Sequence, residues 1–306
     1  MANKRISILS LLLLGIYLLL LLTNLVPAAA VDTAAKRFLA LTVLELFVFA
    51  LPAFFYVKLT KDTVLKRLPL KALPKGSVFL IASTVCLILS FGLSFGAIFY
   101  FIGIGKESYT SLGPYALSAL SHSDNFLFAL LAYALIPALS EEFFFRGILI
   151  SECQENSRLA ASLLSSVAFA LLYFDLAAIP FYFLSGLLLA YLLHLTKSLV
   201  APIAARFFIN LISIYIMPTL WRLLTQPLGV LFAIFVSITL LLLSLFLFLK
   251  ALAGYYLKLS RDPDRANDCH ESFKEGFRKS APLFKNPFFL IAAAFSLTVM
   301  IIKIFI

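Results

Sequence analysis

Long apolar runs separated by short, mostly basic stretches fill this chain. A continuous run of about 20 apolar residues predicts a helix that crosses a bilayer, whereas alternation of apolar and polar positions would point to a barrel. Such runs lie near 6–26, 38–57, 78–104, 126–150, 159–174, 178–195, 199–219, 228–252 and 287–306. The pattern predicts an all-α polytopic transmembrane helix bundle of about nine spans, with the fifth and sixth short for a full crossing. The first run, behind Lys4 and Arg5, is longer than a signal-peptide core and is expected to remain as an anchor. The stretch 254–286 is the longest polar one and reads as a linker to the last span, although Phe273 and Phe277 at i, i+4 spacing would suit an amphipathic surface helix. Three regions result: N-terminal spans with a basic loop (1–125), a middle group of spans (126–219), and C-terminal spans (220–306) with a loop at 253–286.

Composition excludes a water-soluble enzyme. Of the 306 residues 62% are hydrophobic and 13% charged, about half the charge usual in globular chains. A disordered chain is excluded for the same reason. Cys86, Cys153 and Cys269 are odd in number and lack CxxC spacing, so neither a disulfide framework nor a cysteine-based zinc site is supported. The net charge of +10 is read as a topology signal and a favourable contact with anionic lipid, and nucleic acid is not expected as a partner. With the N-terminus in the cytoplasm, loops 58–77 and 253–286 both fall on that side with most of the lysines and arginines, and the C-terminus falls on the other. The expected location is integral to a membrane, most simply the cell membrane.

Charge inside a span is costly, so each such residue calls for a partner or a function. The candidates are Glu45, Glu141, Glu142, Arg146, Asp175 and Arg206. Glu45 fits a carboxyl bonded to a neighbouring helix, and Asp175 lies near the turn between two short spans. Glu142 and Arg146, four apart, share a helix face and can neutralise each other, whereas Glu141 is turned about 100° away and lacks an in-helix partner. A free carboxylate in a dry bundle can take a proton from water, as a general base for hydrolysis must. A buried ion network that only fixes helix packing would use the same residues.

Three motifs in order extend this constellation. Glu141-Glu142-x-x-x-Arg146 is followed by Gly147; Phe169-x-x-x-Tyr173 lies on the next span; and Ser198-Leu-Val-Ala-Pro202 leads into Arg206-x-x-x-Asn210. Across about 126–215 the chain resembles the CAAX-protease and bacteriocin-processing (CPBP, or Abi) family of intramembrane proteases. The resemblance implies a cavity opening toward the cytoplasm, surrounded by spans four to seven, and hydrolysis of membrane-associated peptides. It also implies a site built from Glu141, Glu142, Arg146, Tyr173, Arg206 and Asn210, with Glu141 the candidate base.

Two positions depart from the family pattern. The histidines of its second and third motifs are replaced by Tyr173 and Arg206. Neutral imidazole offers a lone pair to a divalent cation, and guanidinium offers none and repels it, so a family-type metal is not expected and no other cofactor is implied. His122, His194 and His270 do not repair the set. Arg206 could instead neutralise Glu141, turning a catalytic pocket into an ion pair; alternatively, Tyr173 and Arg206 could serve as oxyanion donors while Glu141 activates water. The expectation is an endopeptidase-like membrane protein with impaired or lost catalysis. A non-catalytic scaffold holding a membrane peptide or protein and a small-solute transporter are the alternatives.

Overall fold

The computed structural model describes residues 2–23, 33–60, 68–103, 126–154, 157–217, 219–220, 222, 229–259 and 273–305. Ten helices contain most of them. They are α1 (Ala2–Thr23), α2 (34–59), α3 (Ser77–Ile102), α4 (126–153), α5 (Arg158–Leu171), α6 (Ile179–Thr196), α7 (Val200–Tyr215), α8 (Val230–Leu259), α9 (Phe273–Phe284) and α10 (Pro287–Phe305). No strand occurs among the described residues. The chain is an all-α polytopic membrane protein.

All nine apolar runs form helices, but they are unequal as crossings. Among the described residues six helices are long and apolar enough to span alone, and a seventh span is reached if α9 and α10, bent by 83°, are taken together. The fifth run, α5, is short as expected with 14 residues, but the other short member is the seventh, α7 with 16 residues, and not the sixth. At 18 residues α6 qualifies, because it runs unbroken from Pro180 in its first turn to Lys197, whose left-handed backbone ends it. A second correction concerns the polar stretch 253–286. Its first residues continue α8 to Leu259 and its last part is α9, so it is not a simple linker.

Among the described residues two helices contain π-helical turns, and prolines explain where the first turn of each lies. Leu46–Ala50 in α2 ends two residues before Pro52, and Leu130–Leu135 in α4 ends two residues before Pro137. Proline offers no N–H to the preceding turn and its ring crowds a carbonyl there, so the turn widens. A further π-helical stretch in α4, Phe143–Leu149, follows the two glutamates and contains Arg146.

Packing is by small residues and buried hydroxyls, as expected where lipid removes the hydrophobic drive between helices. On α3 and α8, Ser90 and Ser244 meet hydroxyl to hydroxyl at 2.6 Å. Between α5 and α6, a Cβ on Gly186 would lie 3.0 Å from the Ser166 Cα, so a larger residue would crowd the α5 backbone. Helix α1 docks on α5 through a 2.7 Å hydrogen bond from the Tyr17 hydroxyl to the Ala168 carbonyl, and on the start of α10 through Asn286 Nδ2 donating to Ser7 Oγ at 3.0 Å. The outer surface of α8 exposes Phe235, Leu242 and Phe246, as a lipid-facing helix should.

Contacts at one end of the bundle bring the basic stretches together. Arg5 pairs with Glu152 at 3.5 Å, Leu199 N donates to the Pro69 carbonyl at 2.8 Å, and the Lys258 side chain lies over Gly76. The residues beside loop 58–77 and those beside loop 253–286 therefore share one end.

Candidate functional site

The site is assembled from α4, α5, α6 and α7. On α4, Glu141 and Glu142 stand between two π-helical stretches, both nearly or wholly buried. Arg146 Nη1 donates to Glu142 Oε1 at 2.8 Å, an i, i+4 pair with no solvent exposure on either side chain. The other end of the guanidinium, Nη2, reaches the Gly186 carbonyl on α6 at 3.4 Å. Arg146 thus joins two helices as well as neutralising a carboxylate.

Glu141 looks the other way along α4, toward α7. Arg206 Nη2 donates to Glu141 Oε2 at 2.8 Å, and both side chains are more than nine-tenths buried. Tyr173, just beyond α5, completes the group: its hydroxyl accepts from Arg206 Nη2 and donates to Glu141 Oε2 at 3.4 Å. The Tyr173 ring stacks on Tyr182 of α6 with centroids 3.5 Å apart and planes 6° from parallel. The next residue, Phe174, has φ of +48°, a left-handed backbone that a bulky side chain rarely adopts. Edge contacts of its ring with Tyr17 and Phe295 hold it there.

The wholly buried Phe169 ring separates the two ion pairs. The Arg146 guanidinium lies 4.5 Å from its centroid and the Arg206 guanidinium 4.9 Å. An aromatic between two cations screens them without needing a counter-charge, since its face is electronegative. Some polar atoms stay without a hydrogen-bond partner among the described residues: Glu142 Oε2, Arg146 Nε and Arg206 Nε.

Five of the six candidate residues, Glu141, Glu142, Arg146, Tyr173 and Arg206, therefore meet around Phe169. Asn210 does not join their hydrogen-bond network in the described residues. It lies one turn beyond Arg206, half-buried, and its Nδ2 donates to the Ala134 carbonyl at 3.5 Å. Glu45 of α2 is an addition. It is 1% exposed and accepts from Ser140 Oγ at 2.8 Å, directly beside Glu141. Its position inside an apolar run was the signal for it. Tyr182 carried no such signal, because a tyrosine in a span resembles any packed aromatic. Asp175 Oδ1 caps the turn into α6, accepting from the N–H groups of Ala177 and Ala178, and His194 meets Ser162 Oγ at 2.9 Å. His122 and His270 lie outside the described residues.

A scan against family models matches residues 123–212 to one described as type II CAAX prenyl endopeptidase Rce1-like. Over that segment, and over it alone, the chain is similar to this family of endopeptidases. No curated protein and no solved structure matches the chain. The matched segment contains Glu141, Glu142, Arg146, Tyr173, Arg206 and Asn210, whereas Glu45 comes from outside it.

Family-type metal binding is tested by the donors at hand. Arg206 has no lone pair and its charge faces the carboxylate that would ligate, while the Tyr173 hydroxyl is engaged by the same guanidinium. Among the described residues no group of three or more His, Cys, Asp or Glu is placed to hold an ion. The residues present do not fit a metal of the CPBP kind.

Proposed function

We propose that this CAAX-protease-like membrane protein is a pseudoprotease: its hydrolytic pocket has become a structural ion pair, and the remaining fold holds a membrane-associated peptide or protein. The observation that carries this is the 2.8 Å contact between Arg206 and Glu141. A general base must offer a free lone pair to water. Here Glu141 Oε2 accepts from both Arg206 and Tyr173. The protein is integral to the cell membrane with its N-terminus in the cytoplasm, an orientation supported by the basic loops.

The test is cleavage in proteoliposomes with a prenylated C-terminal peptide carrying a photo-crosslinker. The expected result is crosslinking without cleavage above that of Glu141→Ala. Robust cleavage that disappears in Glu141→Ala would overturn the proposal and make Tyr173 and Arg206 oxyanion donors. Solute flux across the same vesicles without peptide crosslinking would favour a transporter.

A further inference from the structure

Helix α9 is built unlike the spans beside it. Its sequence, FKEGFRKSAPLF, buries Gly276, Ser280 and Leu283, the i, i+4, i+7 stripe of one face, and the helix packs against α5. The opposite face exposes Lys274, Phe277, Arg278, Ala281 and Pro282, and Lys285 follows in register just beyond the helix. Around the helix axis, at 100° per residue, Lys274, Arg278 and Lys285 fall within about 40° of one another, and Phe277 lies about 60° to one side. Glu275, the acidic residue of the helix, sits on the other flank, paired with Lys279 at 2.7 Å. The exposed stripe therefore keeps three cations and no acid.

Orientation gives that stripe its meaning. Helix α10 begins beside Ser7 of α1 and packs along the bundle, its Ser296 Oγ donating to the Leu171 carbonyl at 2.6 Å. It therefore runs with the spans. Because α9 is bent 83° from α10 across a break of two residues, α9 runs nearly perpendicular to them, at the end of the bundle where Arg5, Lys258 and, through its carbonyl's bond from Ser198 Oγ, Lys71 also lie. A helix in that position has one flank at the acyl boundary and one at the headgroups. An aromatic beside a row of cations matches those two layers in order.

We propose that α9 is an interfacial anchor that lies in the membrane surface, inserts Phe277 at the acyl boundary and binds anionic phospholipid headgroups through Lys274, Arg278 and Lys285. The occupant is lipid because the exposed charge is uniformly positive, the one acid being neutralised within the helix, and because Phe277 is 60% exposed beside that charge. The break at residues 285–286 lets the same chain turn from the interface into the bilayer, and Asn286 Oδ1 caps the start of α10 by accepting from Phe288 N at 3.1 Å.

The experiment uses the full chain in reconstituted bilayers, with Phe277→Trp in a Trp221→Phe background so that a single tryptophan reports. Quenching by brominated phosphatidylglycerol is compared with quenching by brominated phosphatidylcholine. Quenching by both, with preference for the anionic lipid, is expected. Changing one cation to glutamine should lower that preference about fivefold, and the triple change Lys274→Gln, Arg278→Gln, Lys285→Gln should abolish it. Should the tryptophan variant fail to fold, a bimane label on Phe277→Cys in a cysteine-free background reads the same site. No quenching by either lipid places the helix in water or against a protein and overturns the proposal. Equal quenching by both lipids, unchanged in the triple variant, overturns its anionic specificity.

Discussion

Arg206 meets Glu141 across 65 residues of sequence, at 2.8 Å, and neither side chain has more than a tenth of its surface exposed. In lipid the two charges have no water to fall back on. Removing either leaves the other stranded, which costs more than the pair contributes when intact. Arg206→Ala and Glu141→Ala should each destabilise the protein by about 3–5 kcal/mol. The double variant should lose much less than the sum, since no charge is then left without its partner. Thermal unfolding in detergent of the wild type, both singles and the double gives the coupling; simple additivity would show that the two residues do not act as a pair.

Zinc uptake separates a lost ligand set from a lost fold. Tyr173→His with Arg206→His returns two imidazole donors beside Glu141 and removes the cation that repels a metal. Metal analysis after dialysis should find zinc rising toward one per chain in the double variant. Wild-type protein binding zinc equally well would contradict the assignment of Tyr173 and Arg206 to those positions.

The close approach of α5 and α6 should be intolerant of a side chain at position 186. Gly186→Ala puts a methyl 3.0 Å from the Ser166 backbone and disturbs the carbonyl that receives Arg146. A loss of about 1–3 kcal/mol is expected, as for other overpacked interiors. Gly254→Ala, where an added Cβ meets no atom within 4 Å, serves as the neutral control. Equal melting temperatures for the two variants would refute the contact.

Single cysteines placed in loops 58–77 and 253–286 should react with an impermeant maleimide from the same side of sealed vesicles. The sequence motivates this by its charge, and Lys258 lying over Gly76 motivates it by contact. Labelling from opposite sides would remove the even number of crossings between them.

The spans were legible because apolar runs of 18 or more residues admit few other solutions. Their inequality was harder to see, since periodicity does not tell a 16-residue helix such as α7 from a crossing whose ends are uncertain. The pairing of Glu142 with Arg146 follows from helix spacing alone, and so does the turning of Glu141 away from both. What faces Glu141 is a tertiary fact that the motif order indicated only as Arg206 among several possibilities. Glu45 and Tyr182 come from helices α2 and α6, and no local rule says that the first meets Ser140 of α4 or that the second stacks on Tyr173. The polar stretch before the last span was misread as a linker because short helices containing Gly276 and Pro282 score poorly on propensity, and packing against α5 overrides that.

The bond between Asn286 and Ser7 joins positions 279 residues apart. At about 5–20 residues per second of synthesis, α1 waits on the order of a quarter of a minute to a minute before α10 exists to receive it. During that interval α5, which receives Tyr17, is already made, whereas the partner of Ser7 is not. The order of synthesis therefore lets the residues around Phe169 meet before α1 and α10 can. Truncated chains that stop before residue 286 should therefore keep the contact of Tyr17 with α5 and lack the one at Ser7.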